Sequence, residues 1–123
     1  MRTDFSNNPL VKCCFAFSLM IIKYTEELEQ KKRFVLANQL LRSGTAIGAC
    51  VMEAQSAESK ADFVHKLKIA DKEAFETFYW MTLCKEAGYD VPEEMLPKLE
   101  EIMRLLSAII HTAKKRSNIT QTN

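Results

Sequence analysis

A chain of 123 residues, 47% hydrophobic and 27% charged, can bury one core and is too short for two ordinary domains. Three glycines and three prolines supply too few turns for an all-β fold, and abundant Leu, Ala, Glu, Lys and Met favour helices. The formal net charge of +1 excludes a global basic field that would draw nucleic acid, and equally an acidic one.

Residues 1–8 are polar and read as a flexible N-terminal segment, after which Pro9 suits the first turn of a helix. Leu10, Cys14, Phe17, Ile21, Tyr24 and Leu28 then recur at the alternating steps of a bundle seam. Cys13, Phe15, Leu19, Met20 and Ile22 fall off that seam, so the first helix is apolar on more than one side. A small four-helix monomer cannot bury both sides, and Phe15, Leu19 and Ile22 become candidates for an oligomer interface. The apolar run from Cys13 to Ile22 is far short of the roughly 20 residues that span a bilayer. Lys23-Tyr24-Thr25-Glu26 follows it where a signal peptide would carry small residues for cleavage. A core helix of a cytoplasmic protein without membrane contact is the expectation. Cys13, Cys14, Cys50 and Cys84 show no C-x-x-C spacing and fit buried free thiols in a reducing compartment.

A second helix is predicted from about Phe34 to Ala57, with two adjacent apolar lines. One is Leu36, Leu40, Ile47, Val51 and Ala54; the other is Ala37, Leu41, Gly44, Gly48 and Val51. Each glycine costs a helix about 1 kcal/mol relative to alanine. Two on one face imply close packing of another backbone. Arg42 and Glu53 lie on this helix roughly 16 Å apart and cannot pair with each other. Lys72 or Glu73 of the third helix could pair with them, across the bundle or a subunit boundary.

Ser59-x-x-Asp62 has the form of an N-terminal capping box. Phe63, Leu67, Ala70, Ala74, Thr77, Met81 and Cys84 carry the third seam, and Asp62 with Lys66 has the spacing of an i,i+4 ion pair. Phe75, Phe78, Tyr79 and Trp80 add aromatic mass that one bundle does not need, a second candidate interface. Gly88 is placed to close the helix in left-handed conformation. Asp90-Val91-Pro92-Glu93-Glu94 reads as a fresh helix start, with Pro97 delaying or bending its opening. Met95, Leu99, Ile102, Leu106, Ile109 and Ala113 give the fourth seam, and residues 117–123 read as a flexible tail. Residues 9–116 thus predict an all-α, up-down-up-down four-helix bundle.

Chemistry is sparse. A carboxylate-bridged metal pair needs Glu-x-x-His on two helices, and only Asp62-x-x-His65 comes near. No phosphate loop and no nucleophile elbow is present, so no enzyme, metal or cofactor is expected. Lys31, Lys32 and Arg33 end the first helix, and Lys114, Lys115 and Arg116 end the fourth. They read either as solvated caps or, repeated around a ring, as phosphate-binding collars for RNA or DNA. In an up-down bundle the two clusters lie at opposite poles.

The run Gln39-Leu40-Leu41-Arg42-Ser43-Gly44-Thr45-Ala46-Ile47-Gly48-Ala49, with Glu53-Ala54, resembles the second-helix motif of the bacterial 23S rRNA intervening-sequence proteins. Ser59 to Phe63, Lys66-Leu67, Ile69-Ala70, Lys72-Glu73-Ala74, Glu76-Thr77 and Tyr79-Trp80 are similar to its third helix. Ala46 and Cys50 depart from the serine and asparagine usual there, and Asp71 and Phe75 also differ. The resemblance implies a left-handed bundle assembled as a homopentameric ring, of unsettled biochemical role. It also implies kinship with accessory proteins of diversity-generating retroelements, which bind nucleic acid and a reverse transcriptase. The function expected is a non-enzymatic scaffold or adaptor that binds nucleic acid, the alternative being a purely protein-binding adaptor.

Overall fold

The computed structural model describes residues 7–122, with side chains for 7–116. Four helices make up the fold: α1 (Pro9–Gln30), α2 (Phe34–Ala54), α3 (Lys60–Glu86) and α4 (Met95–Thr122). No strand occurs among the described residues. Met1 to Ser6, most of the expected flexible segment, lie outside them.

Local chemistry sets the helix ends. Asn8 caps α1, its side chain accepting the Val11 N–H at 3.1 Å, with Pro9 in the first turn. At the far end Lys32 adopts φ 62°, and Arg33 N–H reaches back to the Leu28 carbonyl at 2.9 Å. This is a left-handed C-terminal closure built without glycine. α2 stops at Ala54 rather than Ala57, because Gln55, Ser56 and Ala57 bond three residues back, tightening the last turn. Ser59 caps α3 by accepting the Asp62 N–H at 3.0 Å, and Asp62 in return accepts from Glu58 N–H at 3.1 Å. Gly88 has φ 85°, with Tyr89 N–H bonded to the Cys84 carbonyl at 2.9 Å, as its position in the sequence predicts.

The start of α4 differs from expectation. The turn closed by Met95 N–H on the Pro92 carbonyl leaves Pro92, Glu93 and Glu94 ahead of the helix. Pro97 then occupies the first turn, where an N–H would have no intrahelical partner, and costs the helix nothing. The backbone stays helical beyond Arg116, through most of the stretch read as a tail, to Thr122; the side chains of 117–123 lie outside the described residues.

Each helix neighbours two others: α1 and α3 both lie against α2 and α4, and face each other diagonally, where Tyr24 meets Cys84 across the core. All six seam residues of α1 are buried, as are Leu67, Ala70, Ala74, Thr77, Met81 and Cys84 of α3. In α4 burial covers Met95, Leu99, Ile102 and Leu106 and fades towards Ile109 and Ala113. The core side of α2 runs between its two apolar lines, so Ala37, Leu40, Gly44, Ile47, Val51 and Ala54 are buried while Leu36, Leu41 and Gly48 are half-buried. Ser43 joins that core because its hydroxyl lies 2.9 Å from the Thr77 hydroxyl of α3, and the pair satisfies each other in a dry setting.

Candidate functional site

Two apolar strips remain exposed. The first is Phe15, Leu19 and Ile22 on α1, Phe15 being 56% exposed. It adjoins a groove of about 260 Å³ lined by Val11, Phe15 and Ser18 of α1 and Gly48, Ala49 and Met52 of α2. Gly48 forms its floor: a Cβ there would meet Cys14 Cβ and Ser18 Oγ at 3.4 Å, ordinary contact. The second strip is Phe75, Phe78 and Tyr79 on α3, Phe75 being 60% exposed, continued by Leu83. Trp80 is not part of it. Its indole is half-buried against the core and donates to Glu76 Oε2 at 2.9 Å, so it is engaged inside its own chain. Tyr79 stands edge-on to it, 5.2 Å between centroids. Phe34 and Val35, at the start of α2, are exposed too and were not foreseen, because at a helix start they read as the opening of the apolar pattern.

The ion pairs join α2 to α3 within one chain. Arg42 donates to Glu73 Oε2 at 3.3 Å and also to Glu76 Oε2. Glu76 was missing from the sequence-predicted pairs; its signal is the Glu73-x-x-Glu76-x-x-x-Trp80 spacing, which puts all three on one face. The Trp80 indole, and then Arg42, hold the Glu76 carboxyl below the usual range. Glu53 pairs with Lys66 at 3.4 Å and not with Lys72. Asp62, occupied at its cap, leaves Lys66 to Glu53. Lys72 is exposed and belongs to no ion pair among the described residues.

The basic clusters sit at opposite ends. The Arg33 guanidinium lies 3.5 Å above the centre of the Tyr89 ring, which sets the 31–33 turn against the turn between α3 and α4. The two turns so joined carry more acid than base in sequence: Glu27 and Glu29 near the end of α1, and Glu86, Asp90, Glu93 and Glu94 around the α3–α4 turn, against Lys31, Lys32, Arg33 and Lys85. At the other end Asn8 bonds Gln55 at 3.1 Å, Glu53 meets Lys66, and Lys114 of α4 reaches Lys68 of α3. The Lys68 ammonium holds Lys114 below the ordinary lysine range.

All four cysteines are free thiols. Burial pushes Cys14 up to about 12 and raises Cys13, Cys50 and Cys84 as well, which suppresses thiolate chemistry at neutral pH. Cys13 donates to Glu101 at 3.3 Å. Among the described residues no three His, Cys, Asp or Glu side chains gather to hold a metal, and no helix is long and apolar enough to cross a membrane.

The chain is similar to known proteins. The 23S rRNA-intervening sequence protein family matches residues 6–111. A crystal structure of a protein of unknown function from the S23 ribosomal protein family of Bacteroides thetaiotaomicron is similar, with a TM-score of 0.79 and 40% identity. The match covers 82% of this chain and 97% of that one. No curated protein matches.

Proposed function

The chain belongs to the 23S rRNA-intervening sequence protein family, and from that premise we propose that it is a non-enzymatic scaffold that assembles into a ring and holds nucleic acid. The carrying observation is the pair of exposed strips, Phe15–Leu19–Ile22 and Phe75–Phe78–Tyr79, on two helices set diagonally across the bundle. Contiguous apolar surface of this kind marks an interaction site. Two different strips that meet each other make a heterologous contact, and such contacts close into rings when the rotation allows. Closure at five subunits follows the family resemblance.

Up-down-up-down topology with a left-handed twist fits the short turns at 31–33, 55–59 and 87–94. It fits the pairings as well: Ile21 with Gly44 and Cys14 with Gly48 run in opposite senses along α1 and α2. Nucleic acid is favoured over a purely protein partner by the uneven charge of the two ends.

The strips are tested by Leu19→Glu and Phe75→Glu, each of which spoils one strip and spares the other. Each variant alone should run as a monomer, and an equimolar mixture should give a one-to-one dimer through the two intact strips. Dimers of either variant alone would replace the ring with a two-fold contact, and unchanged assembly in both would move the interface elsewhere. A partner recovered from cells that withstands nuclease and high salt would favour the protein-binding adaptor instead.

A further inference from the structure

We propose that nucleic acid binds at one end of the bundle only, the end bearing Lys68 and Lys114, and that the Lys31–Arg33 end takes no part. This rests on the nucleic-acid part of the reading above and names its site.

Packing gathers the charge. The first turns of α3 lie along the later turns of α4, so Lys68 and Lys114 come to the same end of the bundle although they are far apart in sequence. Lys12 and Lys60 start α1 and α3 at the same end, and Lys115 continues α4. Some of the acids that could answer them are occupied: Glu53 is held by Lys66, and Asp62 caps the start of α3. That leaves Glu58, Asp71 one turn from Lys68, and Glu101 beside Cys13, fewer than the five lysines. Two ammonium groups held together repel unless an anion lies between them, and a phosphate supplies that anion.

The opposite end has the reverse balance. Arg33 is stacked on Tyr89, and the two turns carry six carboxylates against four basic side chains, a balance that disfavours a phosphate chain. Net charge near zero therefore hides a molecule with one cationic and one acidic end. In a ring whose subunits all point one way, these become one cationic and one acidic face. Lys68 and Lys114 lie outside the clefts at Met81 to Leu96, at Gly48 and at Cys13, the last of which is lined by Lys12. An open surface with several spaced cations fits a polyanion better than an enclosed small ligand.

The test uses the full chain, a fluorescein-labelled single-stranded RNA, and fluorescence anisotropy across a salt series, with a DNA strand of the same sequence as a second arm. Lys68→Gln with Lys114→Gln should weaken binding of either strand roughly tenfold or more at low salt. It should also make the log–log salt slope shallower by about 1.4, at about 0.7 for each phosphate no longer neutralised. Lys31→Gln with Lys32→Gln should leave affinity within about twofold. Circular dichroism and assembled mass, unchanged in both variants, separate a weakened site from a misfolded chain. Equal losses in the two variants, or a greater loss at Lys31 and Lys32, overturn the one-ended site while the nucleic-acid reading stands. Absence of binding by the unaltered protein overturns both, and leaves the ring to be judged by mass alone.

Discussion

Gly44 of α2 faces Ile21 of α1 so closely that a Cβ on the glycine would fall 2.8 Å from Ile21 Cγ1, with Cδ1 and Cγ2 at 2.9 Å. Ile21 is fully buried and branched at Cβ, so it has little freedom to yield. Overpacking costs about 1–3 kcal/mol, and the helix propensity gained by alanine returns at most about 1. Gly44→Ala should therefore lower the stability read from urea unfolding by about 1–2 kcal/mol. Gly48→Ala meets only ordinary contacts and should be neutral or stabilising by up to about 1 kcal/mol. Equal gains at both positions would contradict close packing at Gly44.

Lys32 holds a left-handed conformation, at φ 62°, in the same closure that Gly88 makes at the end of α3. A side chain in that region costs roughly 1 kcal/mol that glycine avoids, offset in part by the freer unfolded chain. Lys32→Gly should raise stability by about 0.5–1 kcal/mol. The change at Lys31, whose φ is −89°, should be destabilising or neutral.

Much of this architecture is written in periodicity. The seam of α1 predicted every one of its six residues, and Gly88 announced its turn, because burial and positive φ restrict residue type strongly. Boundaries were less legible. Pro92 looks like a helix opener until the turn closed at Met95 is seen, and Pro97 fits a first turn as well as a bend. The site residues were mixed. Glu73 finds Arg42, but Lys72, one position earlier, points to another side, and Lys66 takes Glu53. Proximity of Lys68 to Lys114 has no local signature. It arises only when two helices are laid together.

Thiol ionisation should make stability fall in alkali. Cys14, buried, is raised from 9.0 to about 12, and Cys84 is raised too, so the folded chain keeps protons that the unfolded chain releases. The stability this contributes is fully present below pH 9 and is lost as pH rises towards 12. Each such thiol should add a slope of about −1.4 kcal/mol per pH unit. Cys14→Ala should flatten the dependence between pH 9 and 10, before tyrosine ionisation enters, whatever its effect at neutral pH. An unchanged slope would place Cys14 in solvent.

The sole tryptophan, Trp80, reports on Glu76, to which its indole donates. The carboxyl is held below its ordinary 4.5 by that bond and by Arg42, so the stability it contributes persists down to its folded pKa and is lost as pH falls through it. Acid titration of Trp80 emission should show a midpoint below 4.5, absent in Glu76→Gln, over a range where circular dichroism is constant. In Arg42→Ala the midpoint should move up, with little loss of stability because the guanidinium is half exposed. A midpoint at or above 4.5 in the unaltered protein would dissolve the Arg42–Glu76–Trp80 link.

Light scattering coupled to size exclusion, run at micromolar concentration and again after tenfold dilution, bears most directly on assembly. The apolar strips on α1 and α3 predict a single species whose mass is a multiple of 14.1 kDa, five-fold if the ring closes as proposed. A single 14.1 kDa particle at both concentrations would contradict it.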